Sequence, residues 1–477
     1  MNLVGKHVLV LGLGESGLAM ARWCVRRGAR LRVADTRAAP PALPGFQHEI
    51  PDAQFIPGAF DKALLENIDL LALSPGLSGG LMVVLEARAR SIPVVGEIEL
   101  FAQGLRDLGV RDKSKVIAIT GTNGKTTTTA LTGHLCHAAG RDAEVAGNIS
   151  PAALDALLQR LDSGKLPEIW VLELSSFQLE TTQTLHADAA AVLNISEDHL
   201  DRYIDLDEYA SAKARVLIND GSNPGVQVLN RDDRRVRKMS LPGRELLSFG
   251  LDAPGMLEDF GLRQRNGEHW LVQGDNFLMP VSDMPLAGLH NAANALAALA
   301  LCYALGLPIE PLLAGLRSFT GLAHRVEKIA EIDGVDYYDD SKGTNVGATV
   351  AALEGLGGQI ASGNRRDRKI VLIAGGDGKN QNFSPLLDAV RNHARGVVLI
   401  GRDAPAIRDA VADCGLPLLP ARDLQDAVRI AARAARPGDV VLLSPACASF
   451  DMFRNYVHRA EVFGVAVQDL KPAGTPA

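Results

Sequence analysis

Apolar runs that alternate with glycine turns and longer helical segments dominate the chain. Three stretches each combine an apolar, β-rich run with glycines: "HVLVLGLGESG" near the start, "VIAITGTNGKT" in the middle and "KIVLIAGGDGK" towards the end. Further apolar runs follow each of them, among them "LRVAD", "IWVLELSS" and "DVVLLSPA". Buried runs separated by helical segments are typical of parallel sheets flanked by helices. The pattern therefore predicts an α/β chain with mostly parallel sheets.

The three glycine turns predict three domains. The 477 residues leave room for about three domains of about 150 residues each. We expect the domains to span residues 1–96, 97–321 and 322–477. Residues 250–285 are less regular and predict short strands and turns.

Composition narrows the classes of function. A net charge of −7 gives no general attraction to nucleic acid or to anionic membranes. The five cysteines are far apart in the sequence and form no metal-ligand pairs, which is typical of reduced thiols in a cytoplasmic protein. The apolar N-terminus runs into a glycine turn rather than a cleavage site. The apolar stretch from Ala295 to Leu307 is too short to span a bilayer and predicts a buried helix.

The central glycine turn, residues 121–127, has the composition of a phosphate-binding loop, and we refer to it as the phosphate loop. A glycine turn at a helix start presents backbone N–H groups and the positive end of the helix dipole to an anion. Lys125 adds a full positive charge, and the hydroxyl of Thr126 is a suitable magnesium ligand. The usual pattern, however, has a glycine five positions before Gly124, where this chain has Ile119. A plain glycine turn with a solvated lysine is the alternative.

Glu173 lies in the otherwise apolar run "VLELSS", on a predicted strand near the glycine turn. Burying an unpaired carboxylate is costly, and a metal ion or a basic partner relieves that cost. Phosphoryl-transfer sites commonly hold magnesium with such a carboxylate. A carboxylate at the strand end that faces solvent is the alternative.

The N-terminal turn matches the dinucleotide-binding fingerprint. "GLGESG" fits G-x-G-x-x-G between a strand and a helix, and Asp35 ends the next strand about 20 residues later. A nicotinamide-dependent dehydrogenase is therefore an open alternative. The same turn suits the pyrophosphate and ribose of a UDP-sugar, and glycines that serve only close helix packing are a third interpretation.

Several further polar stretches follow predicted strands, and each has a plain structural explanation. His199 lies among acidic residues, which fits a surface turn as well as a metal or substrate ligand. Lys213 on the next helix, taken by itself, is a solvated surface lysine. Asn291 at a helix start is explained by capping. Turn chemistry explains most of "YYDDSKGTN" and "GGDGKNQNF", but not Lys342 and Lys379. Because ligands bind at the carboxyl ends of parallel strands, we expect these loops to lie there.

Taken together, these motifs resemble the Mur ligases, ATP-dependent amide-forming enzymes of cell-wall precursor synthesis. "TGTNGKTTT", "ELSSFQLE", "NISEDHLDR", "HNAANALAA", "AHRVE" and "DDSKGTN" occur in the family's order, and the shortened phosphate loop is the family's own form. "GLGESG", "DDSKGTN" and "LSPACASFDMFRNY" are most similar to the members that join D-glutamate to UDP-N-acetylmuramoyl-L-alanine through an acyl phosphate. The resemblance implies a Rossmann-like N-terminal domain, a P-loop ATPase-like central domain and a Rossmann-like C-terminal domain. Residues 250–265 and 359–368 look longer than in the family and are expected to form enlarged surface loops.

The resemblance also implies roles for individual residues. The catalytic set is expected to be Lys125, Glu173, His199, Lys213 and Arg325. ATP is expected at Gly121, Thr122, Asn123, Gly124, Lys125, Thr126, Thr127, Asn291, Arg325 and Asp340. The UDP-substrate is expected at Ser16, Asp35, Thr36, Arg37, Gly76, Asn148, Ser175 and His199. D-Glutamate is expected at Lys342, Thr344, Lys379, Ser449 and Tyr456, the last standing where the family is expected to have phenylalanine.

The implied cofactors are ATP and two magnesium ions. The metal ligands are expected to be Thr126, Glu173, His199 and Lys213, with Lys213 as a carbamate made with CO₂. The implied partners are the two small-molecule substrates, and neither nucleic acid binding nor membrane insertion is expected. The protein is expected to be a monomer in the cytoplasm. Besides the dehydrogenase, a regulatory ATPase that makes no product and a related ligase that adds a different amino acid are open alternatives.

Overall fold

The computed structural model describes residues 2–199, 201–219, 225–286, 288–362 and 368–470. These residues form three α/β parts, each built around its own sheet. Most neighbouring strands are parallel, so the predicted fold class is confirmed.

The N-terminal part has a parallel sheet of five strands in the order β3-β2-β1-β4-β5. The strands are β1 (His7–Leu11), β2 (Arg30–Asp35), β3 (Gln54–Pro57), β4 (Leu70–Leu73) and β5 (Val94–Val95). The helices are α1 (Glu15–Arg26), α2 (Leu43–Glu49), α3 (Met82–Ala89) and α4 (Glu97–Asp107). The strand order reverses between β1 and its neighbours β2 and β4, and such a reversal leaves a crevice at the carboxyl ends of the strands.

The central part has a sheet of nine strands in the order β14-β13-β12-β11-β10-β9-β6-β8-β7. The strands are β6 (Lys115–Thr120), β7 (Ala143–Gly147), β8 (Ile169–Glu173), β9 (Ala189–Val192), β10 (Val226–Asn230), β11 (Glu245–Phe249), β12 (Phe260–Arg265), β13 (Glu268–Gln273) and β14 (Asn276–Pro280). The helices are α5 (Lys125–Ala138), α6 (Ala153–Asp162), α7 (Ser176–Glu180), α8 (Leu206–Ala214), α9 (Arg234–Arg237), α10 (Leu289–Ala304) and α11 (Ile309–Ser318). Strands β12, β13 and β14 pair in antiparallel fashion at one edge.

The C-terminal part has a sheet of six strands in the order β15-β16-β20-β17-β18-β19. The strands are β15 (Glu327–Ile332), β16 (Val335–Asp339), β17 (Ile370–Gly375), β18 (Ala394–Ile400), β19 (Leu418–Pro420) and β20 (Val440–Leu443). The helices are α12 (Val346–Ser362), α13 (Leu386–His393), α14 (Ala404–Ala410), α15 (Leu424–Ala434) and α16 (Tyr456–Gln468). Only the pair β15–β16 is antiparallel among the described strand pairs of this sheet.

The irregular edge of the central sheet both confirms and corrects the sequence analysis. Short strands and turns over residues 250–285 are present as predicted. The surface loop expected over residues 250–265 is wrong for its second half, because β12 occupies Phe260–Arg265 and buries Phe260 and Leu262 against the sheet. The second expected loop begins within α12, and its residues 363–367 lie outside the described residues.

Packing joins the parts as well as stabilising each of them. Trp23 on α1 lies against α4, where a side chain at Gly104 would come within 2.6 Å of the indole ring. Leu157 on α6 belongs to the same buried cluster. On the other face of the central sheet, α5 packs against α10, the predicted apolar helix. Among the residues that the structure describes, no helix combines the length and apolar character that crossing a bilayer requires.

Candidate active site

Two adjoining cavities lie at the carboxyl ends of the strands, the first where residues of all three parts meet and the second between the central and C-terminal parts. The first has a volume of about 560 Å³, and most of the residues predicted from sequence line it. These are Gly76, Thr122, Asn123, Gly124, Lys125, Thr126, Asn148, Glu173, His199, Arg325, Lys342, Thr344, Lys379, Ser449 and Tyr456. The second has a volume of about 620 Å³ and is lined by Thr127, Asn291 and Asp340, with Asn123, Gly124 and Arg325 shared between the two.

The remaining predicted residues lie behind or beside these cavities. Gly121 and Lys213 are hydrogen-bonded to each other beneath the phosphate loop, and Ser175 caps the start of α7. Four residues, Ser16, Asp35, Thr36 and Arg37, lie at the carboxyl end of the N-terminal sheet and line neither cavity.

The turn after β6 requires glycine for steric reasons. Gly124 has φ of 80° and is the N-cap of α5, where no side chain caps the helix. A Cβ atom there would come within 2.4 Å of the Asn294 side-chain oxygen. Gly121 has φ of 154°, and its Cβ would lie 2.9 Å from the Leu193 side chain. The turn therefore leaves the N–H groups of α5 open to an anion.

Two lysine side chains converge on this turn. The Nζ atom of Lys125 donates to the carbonyl oxygens of Gly121 and Thr122, at 2.9 and 2.7 Å. The Nζ atom of Lys213 donates to the same Gly121 oxygen at 2.8 Å. Burial lowers the pKa of Lys125, while the charges of Glu173 and other acidic groups oppose that shift. Burial, and then the charge of Lys125, lowers the pKa of Lys213 well below its ordinary value.

Glu173 ends β8 beside the phosphate loop and is buried. Its Oε1 atom accepts a hydrogen bond from the Asn148 side-chain amide at 2.7 Å. Its Oε2 atom is buried and has no hydrogen-bond partner among the described residues. A buried carboxylate oxygen without a partner is costly unless a cation binds it. The donor set at this position therefore fits a hard divalent cation.

His199 completes the acidic side of the cavity. Its ring lies edge-on to the Phe177 ring at 4.7 Å, and its Nε2 atom lies 3.6 Å from Asp198 Oδ2. Burial lowers the pKa of His199 to about 4, against the opposing charge of Asp198. The imidazole is therefore neutral at physiological pH, which is the form that ligates metals.

Loops of the C-terminal part contact the phosphate loop directly. Arg325 donates from Nη2 to the hydroxyl of Thr126 at 3.0 Å. The amide of Asn345 donates to the Asn123 side-chain oxygen at 2.9 Å. The ammonium group of Lys379 lies 2.8 Å from Asp198 Oδ1, so an ion pair also joins the two parts.

The basic end of the cavity is formed by the C-terminal loops. The Nζ atom of Lys342 lies 5.0 Å from the centroid of the Tyr456 ring, a cation–π distance. Burial, and then the neighbouring Arg325, lowers the pKa of Lys342 to about 8. Asp340 accepts a hydrogen bond from Ser444 at 2.6 Å, yet burial raises its pKa to about 7.

The sequence analysis missed Arg459, which holds two of these loops together. Its buried guanidinium donates to the Ser341 hydroxyl, the Ser341 carbonyl and the Cys447 carbonyl, at 3.0, 2.7 and 3.1 Å. Ser341 in turn donates to the carbonyl oxygen of Tyr456 at 2.8 Å. An arginine within the mostly apolar sequence of α16 was the only available signal. Asp198 and Arg202, both inside the quoted "NISEDHLDR", were also given no role.

The N-terminal glycine turn has a different chemistry. The carboxylate of Asp35 accepts hydrogen bonds from the Leu13 amide at 2.7 Å and from the Arg37 amide at 2.9 Å. The Arg37 guanidinium bonds to both carboxylate oxygens and, with these contacts, holds the pKa of Asp35 at about 2. A Cβ atom at Gly17 would lie 1.9 Å from the Gly12 carbonyl oxygen, so that glycine is required for close packing.

This arrangement defines the class of protein: an α/β enzyme with a phosphate loop, a neighbouring acidic strand and a cavity closed by cationic loops from a third sheet. Sequence models of three Mur ligase domains match the chain. They are the MurD-like N-terminal domain over residues 6–96, the middle domain over 119–302 and the glutamate ligase domain over 324–447.

Two relatives named UDP-N-acetylmuramoylalanine–D-glutamate ligase extend the match over nearly the whole chain. The protein of Nitrosospira multiformis is 56% identical over 473 residues, which cover 99% of this chain and 97% of the relative. The protein of Aromatoleum aromaticum is 58% identical over 471 residues, which cover 98% of each. The chain belongs to the Mur ligase family, so the predicted resemblance is confirmed. It is an ATP-dependent ligase that forms amide bonds in peptidoglycan precursor synthesis.

Solved structures of lower identity share the fold. UDP-N-acetylmuramate-alanine ligase MurC from Thermotoga maritima is 20% identical with a TM-score of 0.62, covering 98% of this chain and 100% of that one. MurF ligase from Thermotoga maritima, solved in complex with ADP, is 18% identical with a TM-score of 0.60, covering 98% and 96%.

Proposed function

We propose that this enzyme joins D-glutamate to UDP-N-acetylmuramoyl-L-alanine with ATP, through an acyl phosphate. The observation that carries the proposal is the single cavity in which the phosphate loop and Glu173 face Lys342 and Lys379. The relatives that match nearly the full length of the chain carry the name of this activity. Together they favour an acidic amino acid as the second substrate.

The proposed reaction has two steps. The carboxylate of the UDP-substrate attacks the γ-phosphorus of ATP, the bond to the β,γ-bridging oxygen breaks and ADP leaves. The amine of D-glutamate then attacks the acyl carbon, the bond from that carbon to the phosphate oxygen breaks, and inorganic phosphate leaves while the nitrogen loses a proton and the amide forms. The first step brings two anions together, which requires positive charge. Lys125, Arg325 and the N-terminus of α5 supply it from within hydrogen-bonding reach of the phosphate loop.

We assign magnesium to two groups of ligands. Thr126 and Glu173 hold one ion, a role that the buried and unpartnered Oε2 atom of Glu173 supports. His199 and Lys213 serve the second, with the neutral imidazole as a nitrogen ligand. When bound, magnesium neutralises charge on the phosphate oxygens.

The proposal includes Lys213 as a carbamate. Because burial lowers its pKa well below the ordinary value, the neutral amine is accessible to reaction with CO₂. The amine nitrogen forms a bond to the CO₂ carbon and releases a proton, which leaves an anionic oxygen ligand in place of a cation. In ¹³C-bicarbonate, the protein is expected to show a carbamate resonance that Lys213→Ala lacks and Lys165→Ala retains. A spectrum without that resonance contradicts this assignment.

The two substrates are assigned to different parts of the molecule, D-glutamate to the first cavity and the UDP portion to the N-terminal glycine turn. Lys342, Thr344, Lys379, Ser449 and Tyr456 surround D-glutamate, whose two carboxylates need cationic or N–H-rich partners. The UDP portion lies on the N-terminal turn at Ser16, Asp35, Thr36, Arg37 and Gly76, and Asn148, Ser175 and His199 face its muramoyl end. ATP lies on residues Gly121–Thr127 and reaches Asn291, Arg325 and Asp340 in the second cavity.

The amino-acid dependence of ADP formation tests the proposal. ADP is expected only when UDP-N-acetylmuramoyl-L-alanine and D-glutamate are both present, with L-glutamate, D-aspartate and other amino acids inactive. ADP formation without an amino acid identifies the regulatory ATPase instead. A preference for another amino acid identifies a related ligase, and binding of NAD in place of the UDP-substrate favours the dehydrogenase.

We also propose that the enzyme works in the cytoplasm as a monomer. All five cysteines are buried free thiols, which is consistent with a reducing compartment. Light scattering coupled to size-exclusion chromatography is expected to give a mass near 50.7 kDa. A mass of twice that value contradicts the monomer.

A further inference from the structure

Arg202 contacts the N-terminal part from the central part, although it belongs to neither the phosphate loop nor the metal ligands. Its Nη1 atom donates to the Pro75 carbonyl at 3.1 Å, and its Nη2 atom donates to the Leu77 carbonyl at 2.9 Å. These carbonyls flank Gly76, the residue of the N-terminal part that reaches the first cavity. One guanidinium group therefore bonds to both sides of this turn.

Contacts within the central part fix the position of the Arg202 guanidinium. Nη2 also bonds to Glu180 Oε2 at 3.0 Å, and the guanidinium carbon lies 4.1 Å from the centroid of the Phe177 ring. Glu180 receives a second hydrogen bond, from the Tyr203 hydroxyl at 2.6 Å. The Phe177 ring in turn contacts His199 at 4.7 Å. The contacts of Arg202 thus extend from the turn at Gly76, through the Phe177 ring, to His199, which we assign as a metal ligand.

The turn that Arg202 holds also packs against the N-terminal glycine turn. A Cβ atom at Gly12 would lie 2.9 Å from the Ser74 side chain and 3.0 Å from that of Leu77. A shift of residues 74–77 would therefore displace the N-terminal glycine turn at Gly12. The N-terminal part has another attachment, where Arg22 on α1 pairs with Asp155 on α6 at 3.0 Å, and neither residue lines the first cavity. That attachment holds the part in place without reaching Gly76.

We propose that Arg202 is a positioning residue, which sets the Pro75–Leu77 turn relative to His199 and the phosphate loop so that the substrate carboxylate meets the γ-phosphate. The proposal rests on the proposed function for its kinetic consequence, but the contact itself does not. Arg202→Lys keeps the charge and most of the aliphatic stem, yet its single nitrogen replaces the two guanidinium nitrogens that reach the Pro75 and Leu77 carbonyls separately in one plane. A small misplacement of reacting groups costs roughly 10²-fold in rate.

Arg215 provides a matched control within the same part. It donates from Nε to the Leu179 carbonyl at 2.7 Å and from Nη2 to the Thr182 carbonyl at 2.8 Å. Arg215→Lys therefore loses a similar two-carbonyl contact, but one that joins no separate sheet. Both variants are assayed at a temperature at which thermal denaturation shows them to be folded.

The kinetic test separates positioning from a general structural role. For Arg202→Lys we expect kcat for ADP formation to fall about 10²-fold, with an equilibrium Kd for ATP close to that of the wild type. Arg215→Lys is expected to keep the wild-type kcat. A folded Arg202→Lys enzyme with wild-type kcat overturns the proposal, and so does an equal loss in both variants.

Amide hydrogen exchange supplies a readout that requires no activity. Residues 74–81 are expected to exchange faster in Arg202→Lys than in the wild type, and Arg215→Lys is expected to leave them unchanged. Unchanged exchange in Arg202→Lys overturns the positioning role. If the wild type forms no ADP with both substrates while exchange changes as expected, the proposed function fails and the positioning of the turn stands.

Discussion

The two glycine turns that follow β1 and β6 share a local design but differ in what surrounds them. Each lies between a buried strand and a long helix, α1 or α5, whose N-cap is a glycine without a side-chain cap. In the N-terminal turn the principal charged group, Asp35, is already bonded by Arg37 and a backbone amide. In the central turn, the half-buried Lys125, the buried Lys213 and an unpartnered carboxylate oxygen surround the helix start. A glycine turn thus prepares a place for an anion, and the distant side chains around it determine the chemistry.

The largest expected effect comes from removing charge at the central turn. Lys125→Ala is expected to lower kcat for ADP formation about 10²–10³-fold, because no other ammonium group reaches both Gly121 and Thr122 among the described residues. Steady-state assays with both substrates measure it. Lys165→Ala, which removes an exposed lysine paired with Asp142, is the control and is expected to match the wild type. Near-normal activity of Lys125→Ala would remove the phosphate loop from the mechanism.

Glu173→Gln tests the acidic side of the same turn. The variant keeps the oxygen that bonds Asn148 but loses the charge at the unpartnered position. We expect the rate to fall about 10²-fold and the magnesium concentration for half-maximal rate to rise. Glu168→Gln removes a half-exposed carboxylate paired with Arg141 and should leave both quantities unchanged. A loss of rate without any change in magnesium dependence argues against a metal ligand.

Asp35→Asn tests the other turn, with a smaller and more selective effect. Loss of the charge weakens the bonds from Leu13 and Arg37, so KM for the UDP-substrate is expected to rise about tenfold while KM for ATP stays constant. Asp69→Asn is the matched control, because Asp69 likewise accepts from a backbone amide and from a basic side chain, those of His7 and Lys6, at the opposite end of the sheet. A rise in KM for ATP would show that the two turns are not separate sites.

A substitution at Glu97, where α4 of the N-terminal part meets α6 of the central part, is expected to have the smallest effect on activity and a measurable effect on stability. Glu97 begins α4, its Oε1 atom accepts from the Leu154 amide at 2.6 Å, and its buried Oε2 atom has no partner among the described residues. Burial raises the pKa of Glu97 from 4.5 to about 7. The folded state therefore retains a proton that the unfolded state releases, and this contribution to stability declines as pH rises from about 4.5 to 7.

Glu97→Gln removes that titration while keeping a carbonyl oxygen for Leu154. Relative to the wild type, the variant is expected to gain roughly 2–4 kcal/mol of unfolding free energy between pH 5 and pH 8. Denaturant unfolding at both pH values measures the difference, and kcat at neutral pH is expected to be unchanged. An equal difference at pH 5 and pH 8 would contradict the assignment to Glu97.

The sequence predicted features that depend on local pattern and missed those that depend on distant contacts. Strand, glycine turn and helix start are adjacent in the chain, so the placement of Lys125, Thr126 and Glu173 beside one turn could be predicted without a structure. Arg459 acts through Ser341 and Cys447, and nothing near it in the sequence indicates those bonds. The strand β12 was mistaken for a loop because its register is set by pairing with β13 rather than by its own glycine-containing and charged sequence.

Under the proposed function, the ion pair between Lys379 and Asp198 has a consequence for the affinity of the enzyme for D-glutamate. The Lys379 ammonium group is occupied at 2.8 Å before any ligand arrives, and the partner carboxylate belongs to a different sheet. A substrate carboxylate that binds Lys379 must therefore displace Asp198. Its measured affinity reports the free-energy difference between the Lys379–substrate and Lys379–Asp198 ion pairs, rather than the strength of either pair alone. Added salt weakens both links, so that affinity should depend on ionic strength less steeply than the charge of the ligand alone suggests.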